Sequence, residues 1–412
     1  MLKRIDVQQL TVGMYLKEFC GSWMDHPFWR SSFVITDPDD IAKIRASGIK
    51  EVLIDNELGL DVPASAAPEP PAREAPPLPV GQGHDAVRAD PKTKPVTIAE
   101  EMTRASRIIE QSKAAVVSMF NEARMGNALD TVGAQSLVEE ISDSVSRNAV
   151  ALISLSRLKT VDDYTYMHSV AVCALMVVLA RQLGLDEAMT RSAGMAGLMH
   201  DLGKAAMPLD VLNKPGKLTD EEFAIIKTHP IQGHKMLLEA THVDAHVLDV
   251  VLHHHEKIDG SGYPNHLKGD EISLLAKMGA VCDVYDAITS NRPYKAGWDP
   301  AVSLHKMAEW TGHFDGQVFQ AFVKCLGVYP VGSLVRLNSG NLGVVVEQSA
   351  KSLTMPSVKI FFSTKSNLRI PTEVIDLSRP NCKYKIANRE DPDHWKFPDL
   401  IEMWATAPVA GT

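Results

Sequence analysis

The chemistry of this chain is concentrated in its histidines and aspartates. Ten of the 15 histidines lie between His168 and His266, where an even distribution would place about four. The segment HHEKIDGSGYP, from His254 to Pro264, follows an apolar run that predicts a helix, and its two glycines and proline end that helix. The imidazoles of His254 and His255 are therefore expected at a helix end beside a shaped loop. This pattern fits one wall of a metal site, and the alternative is a polar helix end followed by a surface turn.

More residues of the same kind interrupt apolar stretches elsewhere. The His200-Asp201 pair follows a run of small apolar residues, His168 and Asp283 lie within apolar helices, and His229 precedes a proline. Taken singly, each could be a hydrogen-bonded core residue. Burying all of them without a shared partner would cost several kcal/mol apiece, and a common metal centre removes that cost. The set as a whole therefore favours a metal site.

The elements that must position these residues are mainly helical. Periodicity and capping boxes beginning at Thr97 and Thr219 predict helices over about 97–123, 130–148, 151–159 and 164–183. The predicted organisation is a small α/β domain at 1–61, a linker at 62–95, a helical domain at 96–328, and a small β appendage with a tail at 329–412. The linker holds nine of the 24 prolines. In the appendage, residues 334–337 and 342–346 predict a hairpin and 358–362 a third strand.

Composition limits the function classes. The 412 residues include 42 basic and 51 acidic ones, a net charge of −9, which argues against long nucleic acids as partners but allows a small anionic ligand. The five cysteines are scattered and form no CxxC pair. The longest apolar run, 170–180, is too short to span a bilayer, and the first residues lack the apolar core of a signal peptide. A cytoplasmic protein is expected.

The ordered set of a His-Asp pair, a Gly-Tyr-Pro loop at 262–264 and an Arg-Pro-Tyr segment at 292–294 closely resembles the HD-GYP family, a branch of the HD metallohydrolases. The resemblance covers about residues 150–328, and residues 1–61 resemble the small domain of unknown function that often precedes such domains in bacteria. It implies a mainly α, HD-type helical domain. It also implies hydrolysis of the bacterial second messenger cyclic di-GMP to the linear dinucleotide pGpG or on to GMP, and through it a role in biofilm formation and motility.

The resemblance also implies a set of site residues. Iron or manganese ions would be bound by seven side chains, with Asp201 bridging two of the ions and a bridging hydroxide attacking phosphorus in line: His168, His200, Asp201, His229, His254, His255 and Asp283. His200, Asp201 and Lys204 would carry catalysis. Substrate would contact Lys204, Tyr263, Arg292 and Lys295. The less favoured alternative is that Lys204, Arg292 and Lys295 are solvated surface cations.

One departure from the family pattern affects the number of metals. Three-metal members carry a glutamate four residues before the first histidine, where this chain has Tyr164. A phenol is a poor ligand, so two divalent ions and pGpG as the main product are predicted. The Gly-Tyr-Pro loop implies either a wall of the substrate pocket or a contact with GGDEF-type cyclase domains, and a homodimer is a further expectation. The competing functions are a hydrolase of another cyclic dinucleotide and a non-catalytic cyclic di-GMP receptor.

Overall fold

The structure is a computed structural model that describes most of the chain. The described residues are 2–19, 33–35, 38, 41, 44–45, 51–56, 58–60, 96, 98–127, 131–156, 164–214, 216–240, 243–290, 297–349 and 352–405. The chain divides into two compact units, Met1–His84 and Asp85–Thr412. The predicted linker and Thr97 lie outside the described residues, and the predicted domain boundaries stay predictions.

The N-terminal unit contains an antiparallel sheet. Its strands β1 (Leu2–Asp6), β2 (Tyr15–Phe19), β3 (Phe33–Val34) and β4 (Glu51–Asp55) are ordered β1-β4-β2-β3. A 3-10 turn at Val7–Gln9 and a second turn through Gly13 precede β2. The small core of this unit is aliphatic and includes Leu16, Val52 and Ile54.

Helices form most of the second unit, as the sequence predicted. The first four are α1 (Ile98–Met125), α2 (Thr131–Arg147), α3 (Ala149–Ser156) and α4 (Tyr164–Gln182). After α5 (Glu187–Met199) a 3-10 turn (Leu202–Ala206) leads to α6 (Leu209–Leu212), α7 (Asp220–Ile226), α8 (His229–Glu239) and α9 (Ala245–His253). The domain ends with α10 (Leu274–Thr289), α11 (Pro300–Glu309) and α12 (Gly316–Leu326).

Helix α4 is the centre of this domain. Every residue from Val170 to Ala180 is buried, which explains why the helix is apolar on all sides and not amphipathic. It contacts α1, α2, α3, α5, α10 and α12. Two of these neighbours position site residues, since His200 and Asp201 follow α5 and Asp283 lies in α10. The predicted capping box at Thr219 is confirmed at the start of α7.

The C-terminal part of the unit is an antiparallel five-stranded sheet. Its strands β5 (Leu334–Leu337), β6 (Asn341–Ser349), β7 (Ser352–Ser363), β8 (Leu368–Asp376) and β9 (Ile386–Arg389) are ordered β8-β7-β6-β5-β9. The predicted hairpin is confirmed as β5 and β6, with Leu334 opposite Val344. The tail, for which the sequence suggested no role, adds β9 and two short helices, α13 (Pro392–Trp395) and α14 (Leu400–Ala405). Trp404 of α14 is buried in the core of this sheet.

Candidate metal centre

All seven residues predicted as metal ligands converge in one place. His168 lies in α4, His200 and Asp201 follow the end of α5, and His229 is the first residue of α8. They form two groups with potential ligand atoms within 4.8 Å of one another in each group. The first group holds His168, His200 and Asp283, and the second holds Asp201, His229, His254 and His255.

Two glycines allow the helices to approach closely enough for this convergence. A Cβ atom on Gly197 of α5 would lie 2.9 Å from backbone atoms of Cys173 in α4, so glycine is needed where these helices cross. A Cβ atom on Gly203 would lie only 1.9 Å from the carbonyl oxygen of His229. The 3-10 turn can therefore pack directly on the first turn of α8. The two contacts bring Asp201 between the helices that carry the histidines.

The first group is held by short contacts. His168 Nε2 is 2.9 Å from Asp283 Oδ1 and 3.2 Å from His200 Nε2. His200 Nε2 lies 3.4 Å from Asp201 Oδ2 and 3.8 Å from Asp283 Oδ1. Four atoms able to ligate a cation therefore point at one small volume.

The second group faces the other oxygen of the same aspartate. Asp201 Oδ1 is 3.3 Å from His229 Nε2 and 3.9 Å from His254 Nε2, and these two nitrogens are 3.3 Å apart. His255 also belongs to this second group. Its Nδ1 lies 3.6 Å from Oδ2 of Asp283, a member of the first group. Each carboxylate oxygen of Asp201 is thus directed at a different group of imidazoles.

The environment of Asp201 Oδ1 is suited to a cation. It is buried, and among the residues that the structure describes it accepts no hydrogen bond. Leaving a charged oxygen buried without a partner is costly, and a bound cation would satisfy it. Asp201 Oδ2, by contrast, accepts a 2.5 Å hydrogen bond from Lys204 Nζ.

The far side of most rings is fixed by hydrogen bonds. Nδ1 of His200 lies 2.8 Å from the carbonyl oxygen of Gly197, and Nδ1 of His229 lies 2.7 Å from that of Ile226. Nδ1 of His254 lies 3.0 Å from a carbonyl oxygen of α9. A proton on each Nδ1 donates to these oxygens and leaves the lone pair of Nε2 directed inward, as in established metal sites.

Asp286, whose role was not predicted from the sequence, fixes the Nδ1 side of the His168 ring, as backbone carbonyl oxygens do for the rings described above. Its Oδ2 lies 2.6 Å from His168 Nδ1, and its side chain is buried. Asp283 and Asp286 are three residues apart on α10, so both meet α4 on one helical face. Asp283 is directed at Nε2 of the ring and Asp286 at Nδ1. The ring of His168 is therefore held between two carboxylates.

The electrostatics of the centre favour positive charge between the carboxylates. Burial alone would lower the pKa of His200, but the charges of Asp201 and Asp283 and their hydrogen bonds raise it to about 10. Burial disfavours a charged Asp201, yet Lys204 and His200 hold its pKa well below the usual range. Burial lowers the pKa of His255 to about 3 and that of His254 well below its usual value. His254 and His255 are therefore neutral at pH 7, the form in which imidazole binds a metal.

The spacing of the donor atoms fits metal binding. Two nitrogens bound to one ion at about 2.1 Å lie roughly 3.0–3.4 Å apart at octahedral or tetrahedral angles. The His168–His200 and His229–His254 nitrogen pairs, at 3.2 and 3.3 Å, both match. Mixed imidazole and carboxylate donors suit iron, manganese or zinc, whereas calcium prefers oxygen alone. The chain thus has a cluster that could hold a metal.

The centre opens to solvent on one side. The side chains of His200, Asp201 and His229 are each 1% exposed, whereas those of His255 and Lys204 are 23% and 24% exposed. Tyr263 covers His255, with ring centroids 4.8 Å apart. The partly exposed side chains of the centre are therefore Lys204 and His255, and His255 lies beside Tyr263.

Two acidic residues shape the Gly-Tyr-Pro loop that carries Tyr263. Glu256 is buried and accepts hydrogen bonds from the backbone of Asn265 at 2.6 Å and of Leu267 at 3.2 Å. Asp259 accepts one from the backbone of Ser261 at 2.8 Å. Arg292 and Lys295, predicted as substrate-binding residues, lie outside the described residues, as does the side chain of Tyr164.

Known proteins share this architecture. Residues 141–318 match the family described as an HD domain, and residues 2–134 match a domain of unknown function, DUF3391. Cyclic di-GMP phosphodiesterase PA4108 of Pseudomonas aeruginosa is 55% identical over 405 residues, which cover 98% of this chain and 96% of that protein. The 3′3′-cGAMP-specific phosphodiesterase 1 of Vibrio cholerae is 32% identical over 178 residues, 43% of this chain and 41% of that protein. The solved structure of Bd1817, an HDGYP-type protein from Bdellovibrio bacteriovorus, is 18% identical with a TM-score of 0.46, covering 79% of this chain and 99% of that one.

The fold and the cluster define a helical HD-domain hydrolase. The chain belongs to the HD-GYP family of these proteins, as its close similarity to PA4108 over almost the whole length of both proteins shows. In the part of the chain that the structure describes, no helix combines the length and apolarity needed to cross a bilayer.

Proposed function

We propose that this protein hydrolyses cyclic di-GMP to linear pGpG, using two divalent ions, iron or manganese, bound by the seven residues of the two groups. The observation that carries the proposal is the position of Asp201, whose two oxygens face different sets of imidazoles. The 55% identical relative is named a cyclic di-GMP phosphodiesterase, which supports the choice of substrate. The unpaired Oδ1 atom of Asp201 supports the presence of a cation on that side.

The residues of the site would have different roles in catalysis and substrate binding. Two ions bound here would lower the pKa of a water molecule that they share and withdraw charge from a phosphate oxygen. Asp201 would hold both ions at a fixed separation. Lys204, hydrogen-bonded to Asp201 and partly exposed, would place an ammonium group beside the phosphate at the mouth. Tyr263 would form the wall opposite Lys204, and Arg292 and Lys295 would add phosphate contacts.

Several finer points belong to the same proposal. Two ions and not three are favoured because Tyr164 replaces the family glutamate, and pGpG is therefore favoured over GMP as the end product. Turnover of cyclic di-GMP would give the protein a role in biofilm formation and motility. We infer a cytoplasmic location from cysteines that are free thiols at 173, 282, 325 and 382. A contact of the Gly-Tyr-Pro loop with a GGDEF-type cyclase and a homodimer are also proposed.

The test combines metal analysis with product identification. Protein purified without oxygen should contain two iron or manganese ions per chain and convert cyclic di-GMP to pGpG, as measured by elemental analysis and chromatography. Asp201→Ala and His200→Ala should abolish turnover while circular dichroism stays unchanged. Three ions per chain would contradict the two-metal centre.

The same assay separates the competing functions. A panel of cyclic di-GMP, 3′3′-cGAMP and cyclic di-AMP is needed because relatives of about one-third identity act on 3′3′-cGAMP. If the protein prefers another cyclic dinucleotide, the proposed substrate is wrong and the proposed mechanism still applies. Tight binding of cyclic di-GMP without turnover, in protein loaded with either metal, would identify a receptor.

A further inference from the structure

The turn between α7 and α8 positions two side chains at the centre, and only one of them is a predicted ligand. The backbone N–H of Lys227 donates to Phe223 at 3.0 Å, and the hydroxyl of Thr228 donates to the carbonyl oxygen of Ile225 at 2.7 Å. His229 Nδ1 then contacts the carbonyl oxygen of Ile226 at 2.7 Å. The turn that fixes His229 inside the centre therefore also fixes the backbone of Lys227 just outside it.

The ammonium group of Lys227 lies beside two aromatic rings. Its Nζ is 4.8 Å from the ring centroid of Phe223 and 5.6 Å from that of Tyr263. The ring of Tyr263 is in turn 4.8 Å from that of His255, the most exposed member of the ligand groups. Attraction between a cation and aromatic rings restrains the long side chain. Lys227 is thus held at the open side of the centre, where the ring of Tyr263 lies between it and His255.

Lys227 differs from Lys204 and Lys214 in its pairing. Lys204 bonds to Asp201 at 2.5 Å, and Lys214 bonds to Glu222 at 2.7 Å. Among the described residues, no carboxylate lies within 4.0 Å of Lys227 Nζ. The net charge of the chain is −9, so a dianionic substrate is attracted only where local cations outweigh this charge. An ammonium group without an acidic partner at the mouth is suited to that purpose.

We propose that Lys227 binds the phosphodiester of the cyclic dinucleotide that is not being cleaved. This inference rests on the proposed function. A cyclic dinucleotide carries two phosphodiesters in one ring, so when one lies at the ligand groups the other must project outward. The outward path passes His255 and Tyr263, because the other members of the two groups are nearly inaccessible. At the end of that path Lys227 offers the charge that a phosphate requires.

The test compares a substrate with two phosphodiesters and a substrate with one. Lys227→Met keeps most of the side-chain stem and removes the charge. It should raise KM for cyclic di-GMP about tenfold or more, the usual effect of losing a charge-assisted hydrogen bond, with kcat within about twofold. Hydrolysis of bis(p-nitrophenyl) phosphate, which has a single phosphodiester, should be unchanged. Lys227→Arg should restore KM, and metal content should equal that of the wild type.

A matched control is available on the neighbouring helix. Lys235→Met makes the same charge change on an exposed residue of α8 for which the structure shows no ion pair or ring contact among the described residues, and it should behave as the wild type. An unchanged KM in Lys227→Met would overturn the proposal. So would a parallel loss of bis(p-nitrophenyl) phosphate hydrolysis, which would mean a structural role in the metal centre.

A competitive inhibitor distinguishes phosphate from guanine as the group bound. Cyclic di-AMP has the same two phosphodiesters but different bases, so its inhibition constant should rise by the same factor as KM. An effect limited to cyclic di-GMP would show that Lys227 contacts guanine, and this would contradict the proposal that Lys227 binds the phosphodiester. If the wild type cleaves bis(p-nitrophenyl) phosphate but not cyclic di-GMP, the proposed substrate fails. The role of Lys227 is then tested on the cyclic dinucleotide that is turned over.

Discussion

Replacing Asp286 should weaken metal binding without disturbing the fold. The substitution Asp286→Asn keeps the shape of the side chain and removes its charge. In the wild type, Asp286 Oδ2 lies 2.6 Å from His168 Nδ1, in a site where both side chains are buried. The carboxylate therefore fixes the tautomer of His168 and raises the basicity of the Nε2 atom that faces the centre.

The size of the effect follows from the hydrogen bond. A hydrogen bond to a charged group contributes about 1.5–3 kcal/mol, which corresponds to roughly a tenfold to hundredfold change in affinity. The amide oxygen of asparagine can still accept the proton of Nδ1, so part of the interaction survives. We expect metal affinity to fall about tenfold, at the lower end of the effects typical of residues that orient metal ligands.

Competition with a chelator measures this affinity, and activity is followed as metal is added back. Because the defect is in affinity, excess metal should restore most of the activity of Asp286→Asn. Ser290→Ala is the matched control, since its hydroxyl contacts the other oxygen of Asp286 at 3.3 Å, and its effect should be less than twofold. Wild-type metal affinity in folded Asp286→Asn would refute the reasoning. Activity that stays low at saturating metal would show that Asp286 acts on a later step.

Three further outcomes are expected. Glu101 is wholly buried and accepts two 2.8 Å hydrogen bonds from Arg147, so Arg147→Met should lower the free energy of unfolding by about 3–5 kcal/mol in urea titrations. Arg104→Met, which removes a half-exposed partner of Glu101, should cost less than about 1 kcal/mol, and equal losses would contradict this account. In Gly203→Ala the new Cβ atom would lie 1.9 Å from the carbonyl oxygen of His229, so metal content should fall while helicity by circular dichroism is kept, and full metal loading would count against it. Metal at 100 times its Kd should stabilise the fold by about 2.7 kcal/mol, so an unchanged melting temperature after chelation would argue against a buried centre.

The ligands were predictable because their side chains contradict their surroundings. His168 and Asp283 are polar residues within helices that are otherwise buried and apolar, and such conflicts in a sequence mark functional sites. The two glycines and the proline that follow His255 predict the end of a helix, and they indicated which helix end would face the centre. These signals are local, so a single sequence contains them, and the structure brings together every ligand that they predicted.

The residues that the sequence missed depend on distances between separate segments. Asp286 lies three residues after Asp283. The sequence does not show that Asp283 is the predicted ligand whereas Asp286 orients the ring of His168. The helical spacing of the two acids was the available signal, but it has meaning only once α10 is known to pack against α4. Lys227 gave no signal, because its position beside Phe223 and Tyr263 brings together residues from two separate segments.

The C-terminal sheet shows the same limit at the level of the fold. Strand β6 contains three consecutive valines, β5 is mostly apolar, and a clear turn separates the two strands, so they were predicted. Strand β8 is mostly exposed and contains Pro371, and β9 has only four residues. Edge strands of this kind are defined by their pairing with a neighbour more than by their own pattern.

The geometry of one carboxylate favours the proposed pair of ions over a single ion. A single ion could take three or four ligands from one group, and the other group would then remain as buried imidazoles without a cation. Asp201 Oδ1 would also stay unpaired if that ion lay at the first group, whereas Oδ2 accepts a hydrogen bond from Lys204 in either case. Two ions, one at each oxygen of Asp201, would satisfy both groups. The energetic cost of burying the imidazoles and the two carboxylates of these groups would then be offset by two shared interactions.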